Sequence, residues 1–261
     1  MAVPEKQVVA EDVERSSLDT ARFRRIFGVV AGICIAFVLA TATAMMLYPG
    51  GARPIASTHG YQFLLNSFSD LGQTRTQSGA ANYPSMALFT SAMLAVGVGA
   101  GGFFVAFARY FASHDASPLA RRLNQAATLL GLASAACFAG VGLTPYNLLL
   151  PEHQFATNGA FYLLLAAVVL EFAALWRLRS MPASLLWVNG AFVVALAAYV
   201  WVLVSAPPAT TLHGDEVRVI AQKLIVYTAI ATIFAQALLI RAHLARPRAA
   251  YAGMLARMRH E

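Results

Sequence analysis

The sequence predicts an all-α integral membrane protein, a bundle of six transmembrane helices with an extracytoplasmic amphipathic helix between the first two spans. Three observations predict it. Of the 261 residues, 59% are hydrophobic and only 12% charged, whereas a soluble domain carries about 25% charged residues. The charge is segregated, because segments 26–52, 84–108, 123–151 and 180–214 contain no Asp, Glu, Lys or Arg. Each exceeds the roughly 20 apolar residues that cross a hydrocarbon layer about 30 Å thick. The runs also lack the alternation of barrel strands, which need only about 9–11 residues, so helices are the spanning structure.

Apolar runs read against their breakers place the spans at 26–48, 84–108, 126–146, 155–176, 184–206 and 219–240. The first begins after Arg22, Arg24 and Arg25 and stops at Pro49-Gly50-Gly51. Within it Gly28, Gly32, Ala36 and Ala40 recur at helical spacing, as do Gly97 and Gly101 in the second span. Small residues so placed let backbones approach, within the bundle or in a homo-oligomer. In the connection that follows the first span, Tyr61, Leu64, Leu65, Phe68 and Leu71 keep the period of one helix face. Gln62, Asn66, Ser69, Asp70 and Gln73 fall on the other face. An amphipathic helix over 61–72 is expected there, capped by Ser57 or Thr58, ended by Gly72, and resting in the interface or closing over the bundle as a lid. The second span opens at Pro84 and ends before Arg109; the third follows Arg121 and Arg122 and ends at Pro145-Tyr146. The fourth ends at Trp176 before Arg177 and Arg179, and the connection 177–183, with Pro182, forces the fifth span to return antiparallel beside it. The sixth runs into Arg241, Arg246 and Arg248.

The formal net charge of +7 would suggest nucleic acid in a soluble protein. Here the basic residues flank span ends, so no nucleic-acid partner is expected and membrane lipids are. Of the 19 Lys and Arg residues only Arg53, Arg75, Arg218 and Lys223 fall opposite the rest, which orients both termini to the cytoplasm. An even number of spans requires the same. The chain then divides into a cytoplasmic tail over 1–25, a transmembrane domain over 26–240 and a basic cytoplasmic tail over 241–261. The first tail carries Glu5, Glu11, Asp12, Glu14 and Asp19 without an apolar core, unlike a cleaved signal peptide. Cys34 and Cys137 lie within spans as packing residues, with no Cys/His finger or Cys-x-x-Cys beside them.

The chemistry-bearing residues gather in the outer connections. Pro49 is followed by His59, Pro145 by His153 and Pro208 by His213. Acids accompany them: Asp70, Glu152 beside His153, and Asp215 with Glu216 after His213. Imidazoles with carboxylates at a bundle mouth are the ligand set of a divalent metal such as zinc, with His59, His153 and His213 as candidates. The same groups serve as a general acid/base pair on a lipid headgroup, or as a proton sensor. No His-x-x-x-His or His-Glu-x-x-His spacing selects the metal reading. Haem is not expected, since no predicted span contains a His. Within the spans, Glu171 reads as snorkelling toward or pairing with a cytoplasmic arginine, Asn189 and Gln236 as interhelical hydrogen-bond partners, and Lys223 as snorkelling outward or pairing with Asp70, Glu152 or Glu216.

The segment Asn66-Ser67-Phe68-Ser69-Asp70-Leu71-Gly72, then Asn82-Tyr83-Pro84-Ser85 and Leu88-Phe89, then Thr144-Pro145 and His153, resembles a bacterial membrane family catalogued as domain of unknown function 998. That family is distantly similar to the eukaryotic DRAM/Frag-like six-helix proteins. The resemblance covers about residues 26–240. It implies a six-helix bundle in the bacterial cytoplasmic membrane, Asp70 and His153 at matching motif positions, and an association with lipids. It brings no settled activity.

The expected function is an extracytoplasmic polar pocket that binds or handles a lipid headgroup or lipid-linked molecule. Asp70, His153 and His213 recognise it, supported by His59, Glu152, Asp215 and Lys223. The rivals are a metal-assisted or acid/base hydrolase or transferase using the same residues, and a proton-coupled transporter, for which Glu171 and Lys223 are the ionisable groups.

Overall fold

The computed structural model describes residues 5–53, 55–178, 180–206 and 212–245, with side chains from Asp19 in the first helix and from Gly214 in the last. Its helices are α1 (Glu5–Leu47), α2 (Tyr83–Ala112), α3 (Pro118–Leu143), α4 (Leu150–Trp176), α5 (Ala183–Ser205) and α6 (Leu212–Ala245), and there is no β-strand among the described residues. Each is long and apolar enough to cross a membrane. The shortest, α5, has 23 residues and at 1.5 Å per residue rises about 35 Å, enough for the hydrocarbon layer. Prolines stand in the first turn of α2, α3 and α4, where a missing N–H costs nothing. Ser117 caps α3 by accepting the Ala120 N–H at 3.3 Å.

Each helix packs on its neighbours in the chain, and α6 closes back on α1, so the six form a ring. Its interior is filled by aromatic and aliphatic side chains, among them Phe27, Phe103, Phe107, Phe161 and Leu196. Its outer surface exposes Val98, Leu129, Phe155 and Trp201, as a surface solvated by lipid requires. A Cβ on Gly97 would lie 2.9 Å from Ala135 O and Ala139 Cβ, so this glycine sets the close approach of α2 to α3. Gly28 instead faces the Arg241 guanidinium, and Gly32 has nothing within 4 Å. The small-residue pattern thus serves packing within the bundle at Gly97.

Two contacts fix how the ends are arranged. Gly28 of α1 meets Arg241 of α6 at one end, and Arg53 after α1 pairs with Asp215 at the start of α6 at the other. The connections 48–82 and 144–149 therefore share one end, the connection end, with the last turn of α5 and the first turn of α6.

The expected amphipathic helix is corrected. Residues 63–65 form a turn and only Phe68–Gly72 is helical, as a 3-10 helix of five residues. The division into an apolar and a solvent face fails as well: Phe63 and Leu64 are exposed, while Asn66, Asp70 and Gln73 are buried together with Phe68 and Leu71. The cause is local. Ser67 and Asp70 form a capping box, Asp70 N–H donating to Ser67 Oγ at 3.3 Å and Ser67 N–H to Asp70 Oδ2 at 2.8 Å. That box starts a helix at Phe68 and takes Asp70 out of solvent. Phe68 enters the mouth of the ring, its ring centroid 6.2 Å from Phe37 and 5.4 Å from Tyr227.

Candidate functional site

Asp70 is the hub of the connection end. Its Oδ2 accepts from Ser67 N–H and from Asn66 Nδ2 at 3.0 Å, and its Oδ1 accepts from Gln73 Nε2 at 3.3 Å and from the Tyr146 hydroxyl. Asn66 Nδ2 also donates to Gly51 O at 2.9 Å. Gly51 sits at φ +92°, and a Cβ there would lie 2.4 Å from Ser78 N, so only glycine supplies that carbonyl in that place. Tyr48 donates to the same carbonyl at 3.1 Å. Burial first, and the Asp70 charge second, push the Tyr48, Tyr61 and Tyr146 phenols well above the usual value. Tyr146 therefore remains a donor to the carboxylate.

His153 lies beside this hub. The helix carrying it begins at Leu150 rather than 155, so the imidazole sits in the first turn of α4 and is buried, against the expectation that no span holds a His. Its Nδ1 is 2.6 Å from Thr144 O and its Nε2 2.9 Å from Ser69 Oγ. The Tyr146 ring packs on it with centroids 5.8 Å apart. Asp70 and His153 thus share neighbours, Tyr146 and the 3-10 helix, and each bonds to other groups rather than to the other.

Of the other candidates, Asp215 joins through Arg53, whose Nη1 donates to Asp215 Oδ1 at 3.1 Å. The Arg53 guanidinium also stands 6.0 Å from the Tyr146 ring centroid. Lys223 is buried and donates to Asn66 O rather than pairing with Asp70, Glu152 or Glu216. Its Nζ lies 5.4 Å from the Tyr61 ring and 5.0 Å from the Phe63 ring, a cation–π setting. His59 is exposed, and Glu152 is exposed against a groove with Cys137 and Phe155. Neither belongs to the cluster. The side chain of His213 lies outside the described residues. Among the described residues, which leave out the His213 side chain, no three His, Cys, Asp or Glu side chains gather to hold an ion. Glu171 is also corrected, for it is buried and accepts from Asn189 Nδ2 at 3.1 Å instead of snorkelling toward or pairing with a cytoplasmic arginine. Asn189 is the interhelical partner expected of it.

Between the 3-10 helix and α4, α5 and α6 lies a cleft of about 430 Å³, within the range of small-molecule sites. Arg53, Ser69, Tyr146, His153, Asp215 and Arg218 line one part; Tyr162, Tyr199, Val202 and Leu203 line another. Ser69, Thr157 and Gln222 are shared with a narrow apolar cavity in the ring's core, walled by Phe37, Phe89, Phe138 and Phe161. No family model, curated protein or solved structure matches this chain.

Ser69, Arg53, Tyr146 and Gln222 are not among the site residues expected from the sequence. Ser69 carried one usable signal: it lies inside the box Ser67-Phe68-Ser69-Asp70, whose ends cap each other. Tyr146 precedes His153 by less than two helical turns of chain, and Arg53 is one of four basic residues on its side.

Proposed function

We propose that the protein lies in the bacterial cytoplasmic membrane with both termini in the cytoplasm, and binds an anionic lipid headgroup, or a lipid-linked molecule carrying one, in the extracytoplasmic cleft. The cleft's composition carries this reading. Two guanidiniums, Arg53 and Arg218, stand against one carboxylate, Asp215, beside apolar and aromatic side chains of membrane-spanning helices. An amphiphile meets both requirements at once, its charged head on the arginines and its apolar part along Tyr199, Val202 and Leu203. Arg53 is suited to the headgroup because its side chain is 47% exposed while its partner Asp215 is 8% exposed. Arg218 is committed to Leu203 O at 3.2 Å and Ala206 O at 2.9 Å and contributes mainly charge. The distribution of Lys and Arg supports the orientation, and the resemblance described above supports a lipid.

The test is native mass spectrometry of the purified protein released from nanodiscs holding equal phosphatidylglycerol and phosphatidylcholine. Retention of phosphatidylglycerol, reduced about tenfold by Arg53→Gln (about 1.4 kcal/mol), supports the reading. Equal retention of both lipids, unchanged by the substitution, overturns it.

A further inference from the structure

We infer that Ser69 is a nucleophile and His153 its general base, together taking an acyl group from an ester-linked lipid in the cleft; the nature of the substrate rests on the lipid reading above.

The hydrogen bonds around His153 settle which way its protons point. Thr144 O can only accept, so the nitrogen 2.6 Å from it, Nδ1, carries the proton of the neutral ring. Nε2 is then an acceptor, and the Ser69 hydroxyl 2.9 Å away donates to it. That is the arrangement of an activated serine: nucleophile on base, base oriented by a third group. Here a backbone carbonyl takes the orienting place that a carboxylate takes in other triads. Both side chains are buried, yet both line the 430 Å³ cleft.

Four other buried or half-buried hydroxyls in this bundle behave differently. Thr41, Ser85, Thr90 and Ser134 donate to backbone carbonyls, at 2.8, 3.3, 2.9 and 2.7 Å. A serine needed only for packing is satisfied in that way. Ser69 is instead given to an imidazole whose tautomer is fixed from behind.

The same corner holds donors for a developing oxyanion. Gln222 Oε1 accepts the Phe68 N–H at 3.0 Å, which leaves its amide NH₂ as the donating end. Thr157 Oγ1 is buried with no hydrogen-bond partner among the described residues. Both residues line the cleft and the core cavity alongside Ser69. Hydrogen-bond donors placed in a site of low water content are worth most where negative charge develops.

The reaction balances without an external redox partner. The Ser69 Oγ–H proton passes to His153 Nε2 as Oγ bonds to the ester carbonyl carbon. The tetrahedral oxyanion collapses, the carbonyl carbon–alkoxy oxygen bond breaks, and the imidazolium returns the proton to the departing alkoxide, which leaves as an alcohol. Acyl-Ser69 remains. A water, or the hydroxyl of a second amphiphile, then gives its proton to Nε2 and attacks the same carbon; the acyl carbon–Oγ bond breaks, the imidazolium returns the proton to Ser69 Oγ, and a carboxylic acid or a new ester is released.

The experiment uses full-length protein in phosphatidylglycerol nanodiscs, treated with a fluorescent fluorophosphonate and, separately, with p-nitrophenyl butyrate. Expected results are a covalent adduct mapped to Ser69 by peptide mass spectrometry, and ester hydrolysis that Ser69→Ala reduces to background. His153→Gln keeps an amide able to bridge Ser69 and Thr144 but has no base, so labelling and hydrolysis fall at least about 100-fold while the melting temperature stays near that of the parent. An unlabelled Ser69 in the parent protein, or full labelling in His153→Gln, overturns the assignment. The two readings fail separately. Protein that retains phosphatidylglycerol with Ser69 unreactive defeats the nucleophile alone. Reactive Ser69 in protein that retains no phosphatidylglycerol defeats the lipid reading and with it the lipid ester as substrate.

Discussion

Replacing Asp70 by Ala and by Asn separates its hydrogen-bonding role from its charge. The carboxylate accepts four donors: Ser67 N–H, Asn66 Nδ2, Gln73 Nε2 and the Tyr146 hydroxyl. In Asp70→Ala, Asn66 Nδ2 keeps Gly51 O, and the exposed Gln77, whose Nε2 donates to the Tyr146 hydroxyl at 3.2 Å, can flip its amide so that its oxygen accepts the Tyr146 O–H. The Ser67 N–H and Gln73 Nε2 are left with nothing. At about 1–3 kcal/mol for each stranded donor, the loss is about 2–6 kcal/mol. In Asp70→Asn the new carbonyl accepts from Ser67 N–H and Asn66 Nδ2, while the new amide NH₂ faces Tyr146 and Gln73. Tyr146 can rotate its hydroxyl to accept. Gln73 can flip its amide and present Oε1, which has no partner among the described residues. All four contacts survive as neutral hydrogen bonds about half as strong as charge-assisted ones, and the neutral amide no longer carries the desolvation cost of a buried charge, which leaves a net loss of about 1–2 kcal/mol. Melting temperatures in detergent, read by fluorescence-detected size exclusion, should rank parent above Asn and Asn well above Ala. An Asn variant as unstable as the Ala variant, or an Ala variant as stable as the parent, refutes this account of the hub.

Three further outcomes are expected. Tyr48, Tyr61 and Tyr146 stay protonated when the unfolded chain's tyrosines ionise near pH 10. The native state then holds more protons than the unfolded state, so stability falls as pH rises above about 10; melting temperature measured from pH 8 to 11.5 should bend there, less steeply in Tyr146→Phe, and a flat profile contradicts it. Gly51→Ala meets Ser78 N at 2.4 Å, whereas Gly60→Ala, at φ +65°, has nothing within 4 Å. The second should therefore cost only the roughly 1–2 kcal/mol of a left-handed residue and the first abolish folded expression; equal yields of both contradict the close approach at Gly51. Asn189→Leu leaves Glu171 buried without the Asn189 hydrogen bond and should destabilise by about 1–3 kcal/mol, while the Glu171→Leu/Asn189→Leu double variant recovers most of it; the double variant melting as low as the single one contradicts the pairing.

The spans were legible because hydrocarbon demands long uncharged runs, and the sequence has little else between its basic clusters. Their ends were less so. α1 extends back to Glu5 through a polar stretch that has helix-forming residues but no hydropathy signal, and α4 begins five residues before 155, which brings His153 into the bundle. Asp70 and His153 were legible as polar residues bordered by apolar ones. Ser69 was not, because a helical wheel over 61–72 assigns Ser69 and Asp70 to a solvent face. That wheel assumes that polar side chains seek water. At the mouth of the ring they meet Asn66, Gln73, Tyr146 and His153 instead, partners brought from up to 84 positions away in the chain. His59 and Glu152 showed the opposite error. Their chemistry suited a site, but no packing neighbour draws either into one.

The connection between α1 and α2 has to fold inward for a reason that also explains the site. Non-helical backbone at the mouth of a membrane bundle must have its N–H and C=O groups satisfied by protein. The carbonyl of Asn66 accepts from Lys223 and from Tyr61 at 2.8 Å, Ser67 O accepts from Tyr61 at 2.9 Å, and Phe68 N–H reaches Gln222. Leu71 O receives Asn82 at 3.1 Å and Ser85 at 3.3 Å. Apart from Tyr61 of the connection itself, the partners come from α6 on one side and from Ser85 of α2 and its N-cap Asn82 on the other, so the 3-10 helix is clamped between two spans. Ser69 lies at the middle of that clamp and His153 in the first turn of α4. The spacing of nucleophile and base is therefore fixed by spanning helices rather than by loop conformation, which is the rigidity that acyl transfer at a buried serine requires.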